Sequence, residues 1–401
     1  MKEMLHRLVV IGNGMAGQAA VEEILQIQND GYEIVVFGAE PSHSYNRIML
    51  SDVLSGKRSF SQLNTKNRAW YEANRIKLFT RSPVTRIDAE RKMVFTENGY
   101  FSHYDKLLLA TGSVPFIPPI KGVDKNGVHV YRTIEDVWSM SEISRYRKKA
   151  VVIGGGLLGL EAAKALKDNG MDVTVIHLTE HLMEQQLDYH SGIILQMLLE
   201  RAGLKFRMNA VTQEVLGEDS VTGVKLQSGE VIEADMLLIC TGIRPNTELA
   251  GNAGIMVRRG IVVNDFLETS HENIYAIGEC VEHRGMVYGL FEPLAEQARV
   301  VADSLVGSGL RTFEESPLSA VLKIADINLV SVGNYAGGDD CEELIYSDPA
   351  VGIYKKIVLK ENRIDGAIFL GDTAQYRDIY DLLRNNAVIN GKRQNLLLGG
   401  G

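Results

Sequence analysis

The chain has 401 residues, 45% hydrophobic and 23% charged, enough for two or three globular domains with cores of their own. A formal net charge of −9 argues against a general nucleic-acid binder. Three cysteines, Cys240, Cys280 and Cys341, lie far apart without a C-x-x-C or a metal quartet, and no apolar run is long enough to cross a bilayer. The expected setting is therefore cytoplasmic, with reduced thiols and no membrane partner.

The opening MKEMLHRLVVIG lacks the long apolar core and small-residue cleavage site of a signal peptide, so its apolar run is assigned to a first strand. Leu8–Gly17 reads LVVIGNGMAG: a strand, a glycine turn and a helix start. Gly12 lets the chain turn, Gly14 lets a pyrophosphate approach the backbone, and Gly17 lets the helix pack on the strand. Asn13, Met15 and Ala16 complete the turn, with free N–H groups and the positive dipole end facing the phosphates. One G-x-G-x-x-G is a weak signal, but Ala150–Gly159 (AVVIGGGLLG) repeats it, with Gly154, Gly156 and Gly159 at the same offsets. Two such turns imply two dinucleotides and a relay between them.

After the first turn, Gln18–Gln28 is predicted as a helix and Tyr32–Phe37 as the second strand. The fingerprint expects an acid near that strand's end to hold ribose hydroxyls. Gly38 stands at the end, and Glu40, two residues on, is the candidate. Arg47 would add forked donors near the pyrophosphate. Short strands follow at Lys77–Phe79 and Val84–Ile87, the latter an edge where an adenine can rest against Val84. Tyr104–Thr111 is a buried strand ending in Ala110-Thr111-Gly112, and Pro115, Pro118 and Pro119 mark a crossing between domains.

Arg132 leads into a helix at Ile134–Tyr146, and the second unit opens at Ala150. Its helix, Leu157–Asn169, begins with Leu157 and Leu158 and carries Glu161 just beyond the glycines. Its second strand, Asp172–Ile176, ends at His177, which is neither the acid expected for NAD nor an Arg suited to NADP. With Glu180 close by and no Arg in the next ten residues, NADH is favoured over NADPH. Leu187–Gly203 reads as a helix. Leu237–Thr241 is followed by Gly242, which echoes Thr111-Gly112. Ile274–Gly278 is another buried strand, with Glu279 at its end, and Pro293–Leu305 reads as a helix with Pro293 first. From about Arg311 short β-like runs appear (Ala320–Ile324, Asn328–Val332, Tyr354–Leu359, Ile364–Leu370), then a helix at Ala374–Asn386 and a tail, Asn395–Gly401, expected to be disordered. Cys280 reads as a packed thiol, His283 as a loop histidine, and Met183 and Met197 as core.

Together the two glycine turns, Ala110-Thr111-Gly112, Thr241-Gly242 and Ile277-Gly278-Glu279 resemble the pyridine nucleotide–disulfide oxidoreductase superfamily. VFGAEP (Val36–Pro41), SYNRIMLS (Ser44–Ser51), HLMEQQLD (His181–Asp188) and GECVEHRGMVYGL (Gly278–Leu290) narrow the resemblance. They are similar to the flavoprotein half of assimilatory nitrite reductase large subunits and to the FAD subunit of assimilatory nitrate reductases.

The resemblance implies an α/β fold of two Rossmann-like domains, the second inserted into the first, plus a C-terminal α+β domain. Its expected parts are 1–118 and 242–310 for FAD, 119–241 for NAD(P), and 311–401 as an interface domain that would form a homodimer. It implies FAD on Gly12–Gly17, Glu40, Arg47, Val84, Ala110–Gly112, Gly278 and Glu279. The N-terminus of the helix at Pro293 would point at the flavin, with Glu292 and Gln297 beside it. It implies NADH or NADPH on Arg132, Gly154–Gly159, His177 and Gly242, with Glu161 at the nicotinamide end as the catalytic candidate.

The implied activity is an NAD(P)H dehydrogenase passing electrons to a redox partner. That partner is the catalytic component of a nitrate or nitrite reductase, or alternatively rubredoxin or ferredoxin. An NADH oxidase or a flavin-based redox sensor is the remaining alternative. Disulfide reductases and peroxidase-type relatives place cysteines beside the flavin. The loop Ser42-His43-Ser44-Tyr45-Asn46 has none, which excludes a thiol relay there. Ferredoxin-reductase relatives carry a Lys where Asp52 follows Leu50-Ser51.

Overall fold

The computed structural model describes residues 6–28, 31–289, 292–314, 319–324, 326–389, 391 and 393–398. The chain divides into two compact units. One comprises Met1–Leu50, Arg58–Pro115 and Ile243–Glu315; the other comprises Ser51–Lys57, Phe116–Gly242 and Ser316–Gly401. The second unit is thus largely an insertion into the first.

Each unit is built on the same parallel sheet. Leu8, Val9 and Val10 are all buried, as are Val151 and Val152, because helices or connections cover both faces of these strands. His6–Ile11 lies centrally, between Tyr32–Phe37 and Lys106–Leu109, with Lys77–Phe79 and Ile274–Ala276 outside them. Lys149–Ile153 lies between Asp172–Ile176 and Met236–Ile239, with Lys205–Arg207 and Val128–Val130 outside. Four positions match in chain order, but the fifth differs: Ile274–Ala276 is the last strand of its sheet in the chain, whereas Val128–Val130 is the first of its own. Each unit also carries a matching antiparallel sheet of three strands: Val84–Asp88, Met93–Thr96 and Phe101–His103 in the first, and Thr212–Leu216, Gly223–Leu226 and Val231–Glu233 in the second. The repeat read from two glycine turns is therefore a repeat of whole domains.

The two passages between the units are pinned to one another. Ser113–Pro115 pairs antiparallel with Ile243–Pro245. The Thr111 hydroxyl donates to the Asn246 carbonyl at 2.8 Å, and the Thr241 hydroxyl donates to the Phe116 carbonyl at 2.7 Å. The proline-rich stretch near Pro115 thus holds a short strand as well as a crossing.

The strands Ser319–Ile324, Ile327–Gly333, Arg363–Leu370, Ile353–Lys360 and Glu342–Asp348 form, in that order, a five-stranded antiparallel sheet, with the helix Tyr376–Arg384 packed on it. It belongs to the second unit: the Tyr354 hydroxyl donates to Asp188 at 2.7 Å, and Arg201 donates to the Ala350 carbonyl at 3.1 Å. Ser51–Lys57 joins the same unit, where Asn169 donates to the Leu54 carbonyl at 2.5 Å.

Several expectations need correcting. The tail is ordered through Gln394–Leu398, a short helix whose Leu397 is buried; residues 399–401 lie outside the described residues. Its carbonyl accepts from Lys355, a buried lysine that also donates to Asp372 at 2.7 Å and Gln375 at 2.6 Å. The helix expected to begin at Pro293 begins at Glu292, whose side chain lies outside the described residues. His283 is fully buried in the strand Val281–His283, where Nε2 meets Asp265 at 2.9 Å. Met197 is 37% exposed, so of the two methionines only Met183 is core. Cys280 is packed as expected, its thiol donating to the Ile277 carbonyl at 3.1 Å. No helix among the described residues is long and apolar enough to cross a membrane, and no cluster of metal-ligating side chains is present among them.

Candidate functional site

The first turn shows why each of its glycines is needed. Gly12 has φ +114, and a Cβ there would lie 2.1 Å from the Ala110 carbonyl oxygen. A Cβ on Gly17 would lie 2.0 Å from the Gly12 carbonyl oxygen. Those two positions are closed by backbone. Gly14 differs: its backbone is extended, and a Cβ would meet nothing within 4 Å. That space lies at the N-cap of Met15–Ile27, a helix start with no side-chain cap and no acid in its first turn. Uncapped N–H groups and a helix dipole beside open space suit an anion such as a pyrophosphate.

Further polar atoms around this turn have no protein partner. Asn13 Oδ1 accepts from the Tyr71 hydroxyl at 3.1 Å, while its Nδ2 is buried without a partner among the described residues. The hydroxyls of Ser42 and Ser44 are in the same state. Buried donors of this kind are normally satisfied. Their cluster beside an uncapped helix fits a bound group rich in acceptors.

Glu40 is held by both oxygens, one accepting from the Tyr45 hydroxyl at 2.6 Å and the other from Arg47 at 2.5 Å. Burial opposes the Arg47 charge, but Tyr45, Glu40 and Glu279 outweigh it and raise the guanidinium pKa. Each carboxylate oxygen of Glu40 keeps a lone pair for a ribose hydroxyl. Glu279 lies in the turn Gly278–Cys280 and accepts from the Ser113 hydroxyl at 2.6 Å. Gln297 is buried, and its carbonyl accepts from Gly278 N–H at 2.7 Å, which ties the helix Glu292–Val306 to that turn. Val84 sits at the edge of its three-stranded sheet.

The second turn repeats the first. Gly154 has φ +119 with the Cys240 carbonyl oxygen 2.1 Å from a built Cβ, and a Cβ on Gly159 would lie 2.1 Å from the Gly154 oxygen. Gly156 is open, at the uncapped start of Leu157–Asp168. His177 is buried under this turn, its Nδ1 accepting from Gly155 N–H at 3.0 Å, so its side chain is engaged with the protein at the place where a ribose-binding acid was sought. Arg132 donates its backbone N–H to Asp136 at 2.9 Å.

Glu161 is set largely out of solvent one turn into the helix. Burial, then the charge of Asp52, push its carboxyl up to about 8. Tyr131 is buried beside it, its hydroxyl hydrogen-bonded to Ser51, and its own pKa is raised by burial and then by Glu161. A carboxyl protonated at neutral pH both donates and accepts.

The signature of the family described as pyridine nucleotide-disulphide oxidoreductase covers residues 6–299. The chain belongs to this family. Its members are FAD- and NAD(P)H-dependent oxidoreductases. Residues 319–387 match a second signature, the rubredoxin NAD+ reductase C-terminal domain.

The chain is 46% identical to a nitrite reductase [NAD(P)H] of Bacillus subtilis over 96% of its own length and 48% of that protein's. It is 42% identical to the assimilatory nitrate reductase electron transfer subunit of the same organism, over 97% of this chain and 50% of that one. It therefore spans about half the length of the curated relatives it matches. Among solved structures, NADH:rubredoxin oxidoreductase from Clostridium acetobutylicum superposes with a TM-score of 0.82 at 26% identity, covering 98% of this chain and 99% of that one. Within the family, this chain's three cysteines are all free and none lies in the loop 42–46.

Sequence reasoning missed the partners of the site residues. Tyr45, which holds Glu40, lay inside SYNRIMLS with no role assigned to it, and Ser113, which holds Glu279, carries no motif. Asn13 was expected at the FAD turn, but its unpartnered side-chain amide was not, and Ser42 and Ser44 were legible only as loop residues.

Proposed function

We propose that the chain is a flavoprotein reductase that takes electrons from NAD(P)H, holds them on FAD and delivers them to a separate redox protein. The single observation that carries the reading is the pair of matching glycine turns, each with one open glycine at an uncapped helix start. FAD and NAD(P)H, when bound, supply the redox chemistry, a hydride moving from nicotinamide to flavin. The protein binds, orients and excludes water.

Gly12–Gly17 hold the FAD pyrophosphate, with Asn13, Ser42 and Ser44 as added donors. Glu40, oriented by Tyr45 and Arg47, takes a ribose. Glu279 and the backbone at Ala110–Gly112 and Gly278 line the same cofactor. Gly154, Gly156, Leu157, Leu158 and Gly159 hold the nicotinamide dinucleotide, with Gly242 and Arg132 beside it. The protonated carboxyl of Glu161 is matched to a carboxamide, which offers one acceptor and two donors. Glu180 and Glu184 near the second strand's end, with no Arg in the ten residues after His177, disfavour a 2′-phosphate and favour NADH.

The acceptor we propose is the catalytic component of an assimilatory nitrate or nitrite reductase, supported by the two Bacillus subtilis relatives. The match to a rubredoxin reductase C-terminal domain supports a second reading, reduction of a small carrier such as rubredoxin or ferredoxin. We place the chain in the cytoplasm on its free thiols, and as a homodimer through the sheet whose edge strand exposes Ile345 and Tyr346. Incubating the FAD-loaded chain with NADH and each purified acceptor tests the reading. Rapid reduction of one protein acceptor supports it, and oxygen consumption with every protein acceptor left oxidised contradicts it.

A further inference from the structure

The two turns solve one packing problem in opposite ways. In each, the middle residue of the turn lies beside the first residue after the second strand. A Cβ on Gly38 would come 3.1 Å from Asn13 Cβ, and a Cβ on Gly155 would come 2.8 Å from His177 Cγ. In the first turn the side chain in this space enters from the turn, as Asn13; in the second it enters from the strand end, as His177. In the second turn Leu182 Cδ2, 2.7 Å from that built Cβ, packs into the same space beside His177.

The hydrogen bonds around His177 fix its tautomer. A backbone N–H can only donate, so Nδ1, which meets Gly155 N–H at 3.0 Å, carries no proton. The ring proton is on Nε2, which faces Thr179 Oγ1 at 2.8 Å and Glu184 Oε2 at 3.0 Å. The Thr179 hydroxyl passes its own proton on to the His181 carbonyl at 3.1 Å. Glu184 is held below the usual carboxylate range, first by this bond from His177. The other side of the Gly155 residue is held too, because Met183 N–H donates to its carbonyl at 3.1 Å. Loop 177–184 therefore grips Gly155 by both its N–H and its C=O, and His177, 6% exposed, is buried in that grip.

We propose that His177 is the positioning residue of the nicotinamide-dinucleotide turn: it holds Gly154–Gly156 in the binding conformation through Gly155 N–H and does not itself take the ribose. This rests on the reading that the second turn receives NAD(P)H. A turn already fixed in the free protein spends less binding energy on ordering. Without an acceptor at the Nδ1 position, Gly155 N–H is left unpaired and the turn must be ordered by the ligand.

The test uses the full FAD-loaded chain with NADH as the probe. Asn presents an acceptor near the position of Nδ1, and Gln presents one near Nε2. His177→Gln should raise the KM for NADH about tenfold, and His177→Asn by less than about threefold, with flavin content and kcat at saturating NADH unchanged in both. Gly155→Asn alone should abolish NADH saturation through its clash with Leu182 and His177. Equal KM values for wild type and both His177 variants overturn the inference alone. Wild-type protein that keeps FAD yet takes no electrons from NADH overturns the parent reading and the inference with it.

Discussion

Replacing Gly14 with valine should separate folding from flavin binding. The backbone of Gly14 is extended, at φ −78 and ψ −170, and its built Cβ meets nothing within 4 Å. The folding cost is that of a poorer N-cap, about 1 kcal/mol or less. The side chain would instead fill the space through which a phosphate reaches the N–H groups of the first helical turn. Losing two charge-assisted hydrogen bonds at about 1.5–3 kcal/mol each weakens FAD binding by roughly 100-fold to 10,000-fold. Gly12→Ala is the contrast, since its Cβ falls 2.1 Å from the Ala110 oxygen at φ +114 and disrupts the fold itself. Gly156→Val should keep FAD and lose response to NADH. Bound flavin per chain, thermal unfolding and NADH-driven flavin bleaching score all three variants. A Gly14→Val protein with a full complement of flavin, or a Gly156→Val protein that loses its flavin or keeps its full NADH response, would refute the reasoning.

Two other predictions concern buried charge. Because the Glu161 carboxyl moves from 4.5 up to about 8 in the folded chain, the folded state holds a proton that the unfolded state has shed between those values. Stability from this group is thus full below about pH 4.5 and is lost as pH rises through about 8, by roughly 2–5 kcal/mol at about 1.4 kcal/mol per pKa unit. Glu161→Gln should gain in Tm over wild type from pH 5 to pH 9, and parallel Tm–pH curves would contradict this. Lys355→Met removes the buried amine that ties Asp372, Gln375 and the Leu397 carbonyl. Hydrogen exchange at 394–398 should rise, with a loss of about 1–3 kcal/mol and no loss of flavin; unchanged exchange there would show the tie to be idle.

How much could be read from the sequence depended on whether a residue's partner was local. Tyr32–Phe37 and Asp172–Ile176 were placed to the residue because β-branched and apolar runs bounded by turn signals leave little choice of boundary. Gly12, Gly17, Gly154 and Gly159 were legible because no other residue fits against the backbone oxygens they face. Glu342–Asp348 was not, since an exposed edge strand reading EELIYSD has no apolar period and is defined by pairing with Ile353–Lys360. The Gln394–Leu398 helix likewise depends on a lysine some forty positions away in the sequence. His177 showed the same limit within the site. Its position at the strand end was plain, but its direction depended on Gly155 lacking a side chain, a contact across 22 residues of sequence.

The central claim is that one chain holds FAD on the first turn and receives NAD(P)H on the second. Anaerobic titration of the FAD-loaded protein with NADH tests it most directly. The account predicts one flavin per chain, bleached by one equivalent of NADH, with the colour restored by an added protein acceptor. A chain that binds no flavin, or whose bound flavin stays oxidised under excess NADH and NADPH alike, would contradict it.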